Sequence, residues 1–563
     1  MGACRLMAIL SVAFVIGCAV PQRAEAPGAG AAPAASGPKR ITATILDEPV
    51  GFNGIMAYNR GGGNDVIEDL LHAGLSNYDN QSTLFPQLAE TLPNIESGTW
   101  SLLAGGQMET TWKLRASARW QDGTPFTAQD LLFTLEVAQT RDIPVRGHVA
   151  YQLLGGAEAV DPRTIRVRWT RPFIDADKLF TRSFAAPVPE HLLRRPYTDD
   201  LGSFAELPYW TEAFVGAGPY RLKEWERGSH IVLAANDLYV LGKPRIDEII
   251  MRFIGDPNTV VASLLSGAVE LTLGRNLTLE PATQVRDQWR DGRLELAYKS
   301  WIMMYPQLLT PNPAIVGNTE FRRALMHALD RDQLVESLQG GLVPVAHLML
   351  SPDTTEHKES LSSIVRYDFD ARRAAQIIES LGYARGADGG FRSSAGERLS
   401  VELRASAGED VFEKSVLAVG DYWQRIGVAV EPVIVPRQRD QDLEYITTYP
   451  GFNLTRQPNQ LEALGDHRTA QAPLPENGYR GRNRARYMNP EFDAMVDRYF
   501  STIPSAERLE IVKQAMNHIT TNLTMMGLFY NTEPTLISNR LTTVTARTGD
   551  GTHAWNAHLW DVK

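Results

Sequence analysis

From residue 40 onward, two spacings of apolar residues alternate along the chain. Between 110 and 115 the large apolar side chains Trp112 and Leu114 are separated by Lys113 and followed by Arg115, the period-two pattern of a strand with one buried face. Asp122 and Gly123 then predict a turn. Thr127 and Asp130 have the spacing of a capping box, with Asp in place of the usual Glu, and predict a helix whose apolar face carries Leu131, Leu132 and Leu135.

The same passage from strand to capped helix recurs. Residues 248–254 read as a strand, after which Asp256 caps a helix and Pro257 occupies its first turn. Val260, Val261, Leu264 and Leu265 are its expected buried stripe, and Gly267 its stop. Asp370 caps a further helix with apolar residues at 371, 374, 377, 378 and 381, ended by Gly382. Then Leu399, Val401 and Leu403 alternate, residues 412–426 carry a helical stripe, and residues 428–435 are extended and apolar, with Gly427 as the joint. That is a βαβ unit, which places two parallel strands in one sheet. The elements predict an α/β or α+β fold.

At 563 residues the chain exceeds what one hydrophobic core organises, so two or three lobes are expected. A mean hydropathy of −0.23 places it with ordinary globular proteins. A net charge of −10 argues against nucleic acid as a partner, because phosphate contacts need clustered Lys and Arg.

The N-terminus adds an address. Arg5 precedes an apolar run over 6–16, too short to span a bilayer, that leads into Gly17 and Cys18. This resembles a bacterial lipoprotein signal, which implies cleavage before Cys18 and acylation of its thiol; an ordinary secretory signal cleaved near Ala24 to Ala26 is the alternative. The only other cysteine is Cys4, so no disulfide framework or cysteine metal site is expected in the remainder. Residues 19–38 are dominated by Ala, Pro and Gly and read as a linker.

The sequence has no HExxH, GxSxG or GxxxxGK[ST] motif, and no GxGxxG between a strand and a helix. Gly61, Gly62 and Gly63 are followed by no Lys-Ser or Lys-Thr and read as a turn. His553 and His558 lie in a Trp-rich stretch and read as packing residues before metal ligands. No cofactor and no metal is expected.

Four further segments occur in a characteristic order. They are PQLAE at 86–90 with WKLR at 112–115 and WQDGTPFTAQD at 120–130; GAGPYRLKEW at 216–225 leading to LLSG at 264–267; FRRALMHALDR at 321–331 with Gly340 and Gly341; and YMNPEFD at 487–493. Together they resemble the large solute-binding proteins of the oligopeptide-, dipeptide- and nickel-binding family, over nearly all of the chain after the linker. Gln121 stands where that family usually has His after the aromatic. Most of these residues read as structural: they turn, cap or bend the chain.

The resemblance implies a type II periplasmic-binding-protein fold with two large lobes, a hinge and an inserted small lobe. The implied divisions are a signal at 1–17, a linker at 18–39, the first lobe at 40–77, 212–297 and 525–563, the small lobe at 78–211 and the other large lobe at 298–524. By position in the family pattern, the ligand-facing candidates are Trp301, Tyr305, Phe452, Asn453, Arg456, Tyr479, Arg482 and Asn483. Core packing is the competing reading for the aromatics, and a solvated charge for the arginines. In the family's peptide binders an Asp commonly meets the peptide's amino terminus; no Asp aligns here and Asn453 stands in its place.

The resemblance implies a monomeric importer subunit, not an enzyme, that captures a peptide-like solute outside the cytoplasm, is tethered to a membrane by lipid alone, and delivers its cargo to an ABC permease with its ATPase. An oligosaccharide, opine or other polar solute is the alternative cargo. A secreted cell-wall hydrolase and a signalling receptor on the same fold are the rival functions.

Overall fold

Two long strands, Gly292–Pro306 and Met526–Ser538, run antiparallel through the middle of the molecule. On one side of this ribbon lie Leu271–Thr272, Arg40–Ile45, Glu248–Phe253, His230–Ala235 and Tyr220–Glu226, in that order. On the other side lie Phe452–Pro458, Ser400–Ser406 and Ala429–Val435. Ten strands thus form one mixed sheet whose two ends share only the central ribbon. The ribbon's pairing slips twice, once between Tyr298 and Ser300 and once between Ile302 and Met303. Such bulges bend a strand and increase its twist, so the two ends of the sheet are set at a local break at Lys299.

This computed structural model describes residues 37–56, 63–146, 149–274, 276–407, 410–439, 442–547 and 551–563. Cys18, the expected signal over 1–17, most of the expected linker, and Gly61 and Gly62 lie outside the described residues.

A second sheet of four antiparallel strands has the order Trp100–Leu102, Met108–Lys113, Thr164–Trp169 and Leu154–Asp161. The capping box predicted for its helix is formed: the Thr127 N–H donates to Asp130 Oδ2 at 2.8 Å, and the helix runs Ala128–Gln139. Asp256 accepts from the Thr259 N–H and Asp370 from the Arg373 N–H, capping the helices Pro257–Leu265 and Ala371–Ser380. In the first of these, Val260 and Leu264 are buried, whereas Val261 is only partly buried and Leu265 is 42% exposed. The expected four-residue stripe is therefore two residues wide, because the helix packs one narrow face against Val285 and Leu536.

The βαβ unit is present. Ser400–Ser406 and Ala429–Val435 pair in parallel, the helix Asp410–Arg425 connects them, and Gly427 takes φ 97°, a left-handed conformation in which a Cβ would lie 2.7 Å from the Gly389 carbonyl. Side chains on the central ribbon alternate between two cores. Trp301, Met303 and Tyr305 join the core that runs beneath both sheets, while Ile302 and Met304 join a separate one with Phe321, Val401, Val416, Trp423 and Phe452. A strand buried on both faces reads as a continuous apolar run, which is what residues 301–305 show.

Buried charges tie distant segments together. From the helix Asn64–Leu71, Asp69 pairs with Arg182 at 3.1 Å and accepts from Thr552 Oγ1 at 2.6 Å, and Asp65 pairs with Arg547 at 2.7 Å. Arg547 in turn reaches Glu533 on the central ribbon at 3.5 Å. Asp65 is held well below the usual carboxylate range: burial opposes its charge, and the Arg547, Arg182 and Lys299 cations overcome that penalty.

Candidate functional site

A cavity of about 290 Å³ opens where five segments that are distant in sequence meet. One wall is built from the hairpin residues Tyr78 and Leu84 and from the segment carrying Ile174, Asp175, Asp177 and Lys178. The opposite wall comes from Leu350 to Thr354, from Asn459 to Glu462, and from Tyr499 and Arg508 on the helices Pro490–Ser501 and Ser505–Asn522.

Local chemistry fixes each wall. Residues Ala176–Lys178 form a single 3₁₀ turn in which the Lys178 N–H donates to the Asp175 carbonyl at 3.0 Å. A 3₁₀ turn brings side chains three residues apart over one another, and Lys178 Nζ accordingly lies 2.9 Å from Asp175 Oδ1. In the hairpin, Asp79 Oδ1 accepts from the N–H groups of Gln81 and Thr83, both at 2.8 Å, which holds Tyr78 at the rim. Across the cavity, Asn459 Nδ2 donates to the Tyr298 carbonyl at 3.1 Å and the Ser351 hydroxyl donates to the same oxygen at 3.3 Å. This wall is thereby anchored to the ribbon residue that begins the bulge. Arg508 is positioned by donating Nη1 to the carbonyls of Thr502 and Ile503.

The lining carries an excess of acid. Asp175, Asp177, Glu356 and Glu462 face the cavity with Lys178 and Arg508. Burial raises the Asp175 carboxyl, and burial pushes the Asp177 carboxyl up to about 6, the neighbouring Lys178 and Arg508 offsetting only part of the penalty. Asp177 Oδ1 is buried and has no hydrogen-bond partner among the described residues. Glu462 goes the other way: burial opposes its charge, but the Lys178 ammonium at 2.5 Å holds it below its usual range. Ile174, Leu350 and Val512 supply buried apolar surface. A concave, mainly apolar space with a few fixed polar groups is the general form of a small-molecule site. Among the described residues no group of three or more His, Cys, Asp or Glu is arranged to hold a metal ion.

The model of the bacterial extracellular solute-binding proteins, family 5, middle region, matches residues 86–501. The chain belongs to this family. It is a binding protein and not an enzyme, and as a family 5 member it works outside the cytoplasm with an ABC transporter. Among the described residues no helix is long and apolar enough to cross a membrane. This family 5 protein is 22% identical to the oligopeptide-binding protein AppA of Bacillus subtilis over 459 residues, covering 80% of this chain and 78% of that one. Its fold matches a periplasmic oligopeptide-binding protein of Thermotoga maritima with a TM-score of 0.76 at 19% identity, over 93% of this chain and 99% of the other. It matches NikA of Brucella suis, solved with Fe(III)-EDTA, with a TM-score of 0.74 at 16% identity, over 93% and 100% of the two chains. At these identities the structural likeness establishes the type II binding-protein fold and nothing about cargo.

The eight residues expected to face ligand are placed differently from the cavity lining. Tyr305 pairs across the sheet with Asn453, Pro306 with Phe452, and Ile302 with Arg456. Trp301, Tyr305, Phe452 and Asn453 are buried in that sheet and Arg456 is half-buried. Asn483 is buried as a loop clamp, its Nδ2 donating to the carbonyls of His467, Arg468 and Tyr487. Tyr479 donates its hydroxyl to Glu444 at 2.8 Å, and Arg482 is 72% exposed and pairs with Asp466 at 3.2 Å. None of the eight lines the cavity. What links the two sets is the strand Phe452–Pro458: it carries three of the candidates and delivers the chain into Asn459 to Glu462.

Sequence reasoning missed Asp175, Asp177, Lys178, Glu462 and Arg508. The one available signal was the run Asp175, Ala176, Asp177, Lys178, where three charges follow the apolar residues Phe173 and Ile174 without the spacing of a helix or strand.

Proposed function

We propose that this protein is the extracytoplasmic lipoprotein of an ABC importer, capturing a small peptide or peptide-like solute in the cavity and passing it unchanged to a membrane permease. The observation that carries this reading is the cavity itself, with its two walls drawn from residues 78–178 and 350–512 and lined by Asp177, whose buried Oδ1 has no hydrogen-bond partner among the described residues. A site split between segments far apart in sequence is suited to capture by closure, because a solute touching both walls favours the closed form by its differential affinity.

The order of strands in the sheet supports the division into lobes read from the sequence. Residues 40–77, 212–297 and 525–563 form one large lobe, 78–211 the small lobe and 298–524 the other large lobe, with the hinge at the Lys299 bulge. Cys18 is the proposed site of lipid attachment. Oligopeptide binding by the Bacillus and Thermotoga relatives supports a peptide-like cargo, and the cavity volume, at the low end of the roughly 300–1,000 Å³ usual for small-molecule sites, supports a short one. Trp301 and Tyr305 extend the proposal beyond the cavity: Trp301 Nε1 and Tyr305 Oη are buried with no hydrogen-bond partner among the described residues, two donors left for a solute.

The test is a titration of the mature protein with a series of di- to pentapeptides, read by tryptophan fluorescence, with the ligand then recovered and weighed. The proposal expects a saturable change and an intact peptide. Recovered fragments would make the protein a hydrolase, and no response to any peptide would remove the peptide cargo.

A further inference from the structure

The cavity already holds one ammonium group, and it belongs to the protein. Lys178 Nζ lies 2.9 Å from Asp175 Oδ1, 2.5 Å from Glu462 Oε1 and 5.9 Å from the centre of the Tyr78 ring. Two carboxylates and an aromatic ring are the groups by which a primary ammonium is held. Asp175 is on the same turn as the lysine, but Glu462 is 284 residues away on the opposite wall. Lys178 is only 19% exposed on its side chain, and the Glu462 side chain is 42% exposed. The contact is therefore a tie across the cavity, half of it reachable by solvent. Beside it, Asp177 Oδ1 has no partner. Against Lys178 and Arg508 the lining sets four carboxyl groups, Asp175, Asp177, Glu356 and Glu462, which leaves room for further positive charge.

We propose that Asp175, Glu462, Asp177 and Tyr78 form a primary-ammonium subsite that Lys178 fills in the unliganded protein, bridging the two walls until a solute bearing an ammonium group takes its place at Glu462 and Asp177. The exchange keeps Lys178 on Asp175, gives Glu462 a new ammonium partner and adds one for Asp177. This inference rests on the cavity being the capture site, and the experiment below separates the two.

The experiment is chemical rescue in the full-length protein. Lys178→Ala empties the cage, and its thermal midpoint is measured with n-butylammonium chloride, with sodium chloride at equal ionic strength, and with n-butanol. The expected result is a lowered midpoint that butylammonium restores with saturation and that sodium chloride and butanol do not. Wild type, whose own Lys178 competes for the cage, is expected to respond only at higher butylammonium concentration, and the double variant carrying Lys178→Ala and Glu462→Gln not at all. Absence of rescue, or rescue that persists in the double variant, would overturn the subsite. Glu462→Gln alone, at a partly exposed position, gives a second reading: its solution scattering without ligand is expected to show a larger radius of gyration than wild type, and an unchanged one would overturn the bridge. A protein that passes both and still binds no solute would keep the subsite and lose the capture reading.

Discussion

Asn531 donates its side-chain amide to the Ser300 hydroxyl at 3.2 Å, immediately beside the place where the central ribbon changes register at Lys299. On one side of this bond the ribbon pairs towards Leu271 and the strands beyond it; on the other it pairs with Phe452–Pro458. Only two strands cross here, so the bending of one half of the sheet against the other is concentrated in a few residues. The same break anchors the cavity, because the Tyr298 carbonyl receives both Asn459 and Ser351. The register break and one wall of the cavity are therefore joined through a single carbonyl.

Close packing at this ribbon makes Gly527 intolerant of any side chain. A Cβ there would lie 2.4 Å from the Ala346 carbonyl and 2.6 Å from the Trp301 ring. Gly527→Ala is expected to destabilise the protein by about 1–3 kcal/mol, seen as a lower denaturant midpoint. An unchanged midpoint would show that the ribbon shifts to make room for the methyl group.

The weld between the helix Asn64–Leu71 and Arg182 is buried, at 16% and 5% side-chain exposure for Arg182 and Asp69. Removing the cation leaves Asp69 without its charge partner, and such losses cost about 3–5 kcal/mol. Arg182→Ala is expected to lower stability by that order in urea unfolding, and Arg182→Ala with Asp69→Asn to recover a good part of it. No recovery in the double variant would mean that the pair is not what holds these segments together.

Asp177 ties stability to pH in a known direction. Burial raises its carboxyl from 3.8 in the unfolded chain to about 6. Between those values the native state binds the extra proton, so stability declines as pH rises through that window and the full cost is present above it. Asp177→Asn removes the cost and is expected to stabilise the unliganded protein by up to about 3 kcal/mol at pH 7.5 and hardly at all at pH 4. Equal effects at both pH values would contradict the burial of this carboxylate.

His72 has the opposite sense. The Ala73 N–H donates to its Nδ1 at 2.8 Å, so Nε2 carries the proton and donates to the Pro187 carbonyl at 2.6 Å. Burial lowers its pKa from 6.5 to about 4. As pH falls from 6.5 to 4 the unfolded chain gains a proton that the native imidazole refuses, and about 3 kcal/mol of stability is lost from this group. Titration followed by NMR is expected to show the His72 ring neutral at pH 5; a ring protonated there would contradict this environment.

The elements legible in the sequence were those whose causes are local. Thr127, Asp256 and Asp370 cap helices because each side chain needs only the N–H two or three residues ahead, and the βαβ unit at 399–435 announces itself by two clean periods. The cavity is assembled from a 3₁₀ turn, a hairpin and two helix faces, none with a repeating spacing, and the partners Lys178 and Glu462 meet only through the fold. The resemblance pointed to residues of the strand Phe452–Pro458 that are buried or half-buried, while the cavity lining begins where that strand ends, at Asn459. Leu265 shows the limit of periodicity from the other side: it continues the apolar spacing yet faces solvent, because the helix has only one narrow surface to pack against.

The most direct measurement is native mass spectrometry of the protein purified gently from its own cells, before and after the bound material is released by unfolding. A single polar solute carrying an ammonium group, released at the same mass as in the complex and missing from Asp177→Asn purified alongside, is the predicted result. A protein that emerges empty, or one that retains its cargo when Asp177 is replaced, would contradict the account.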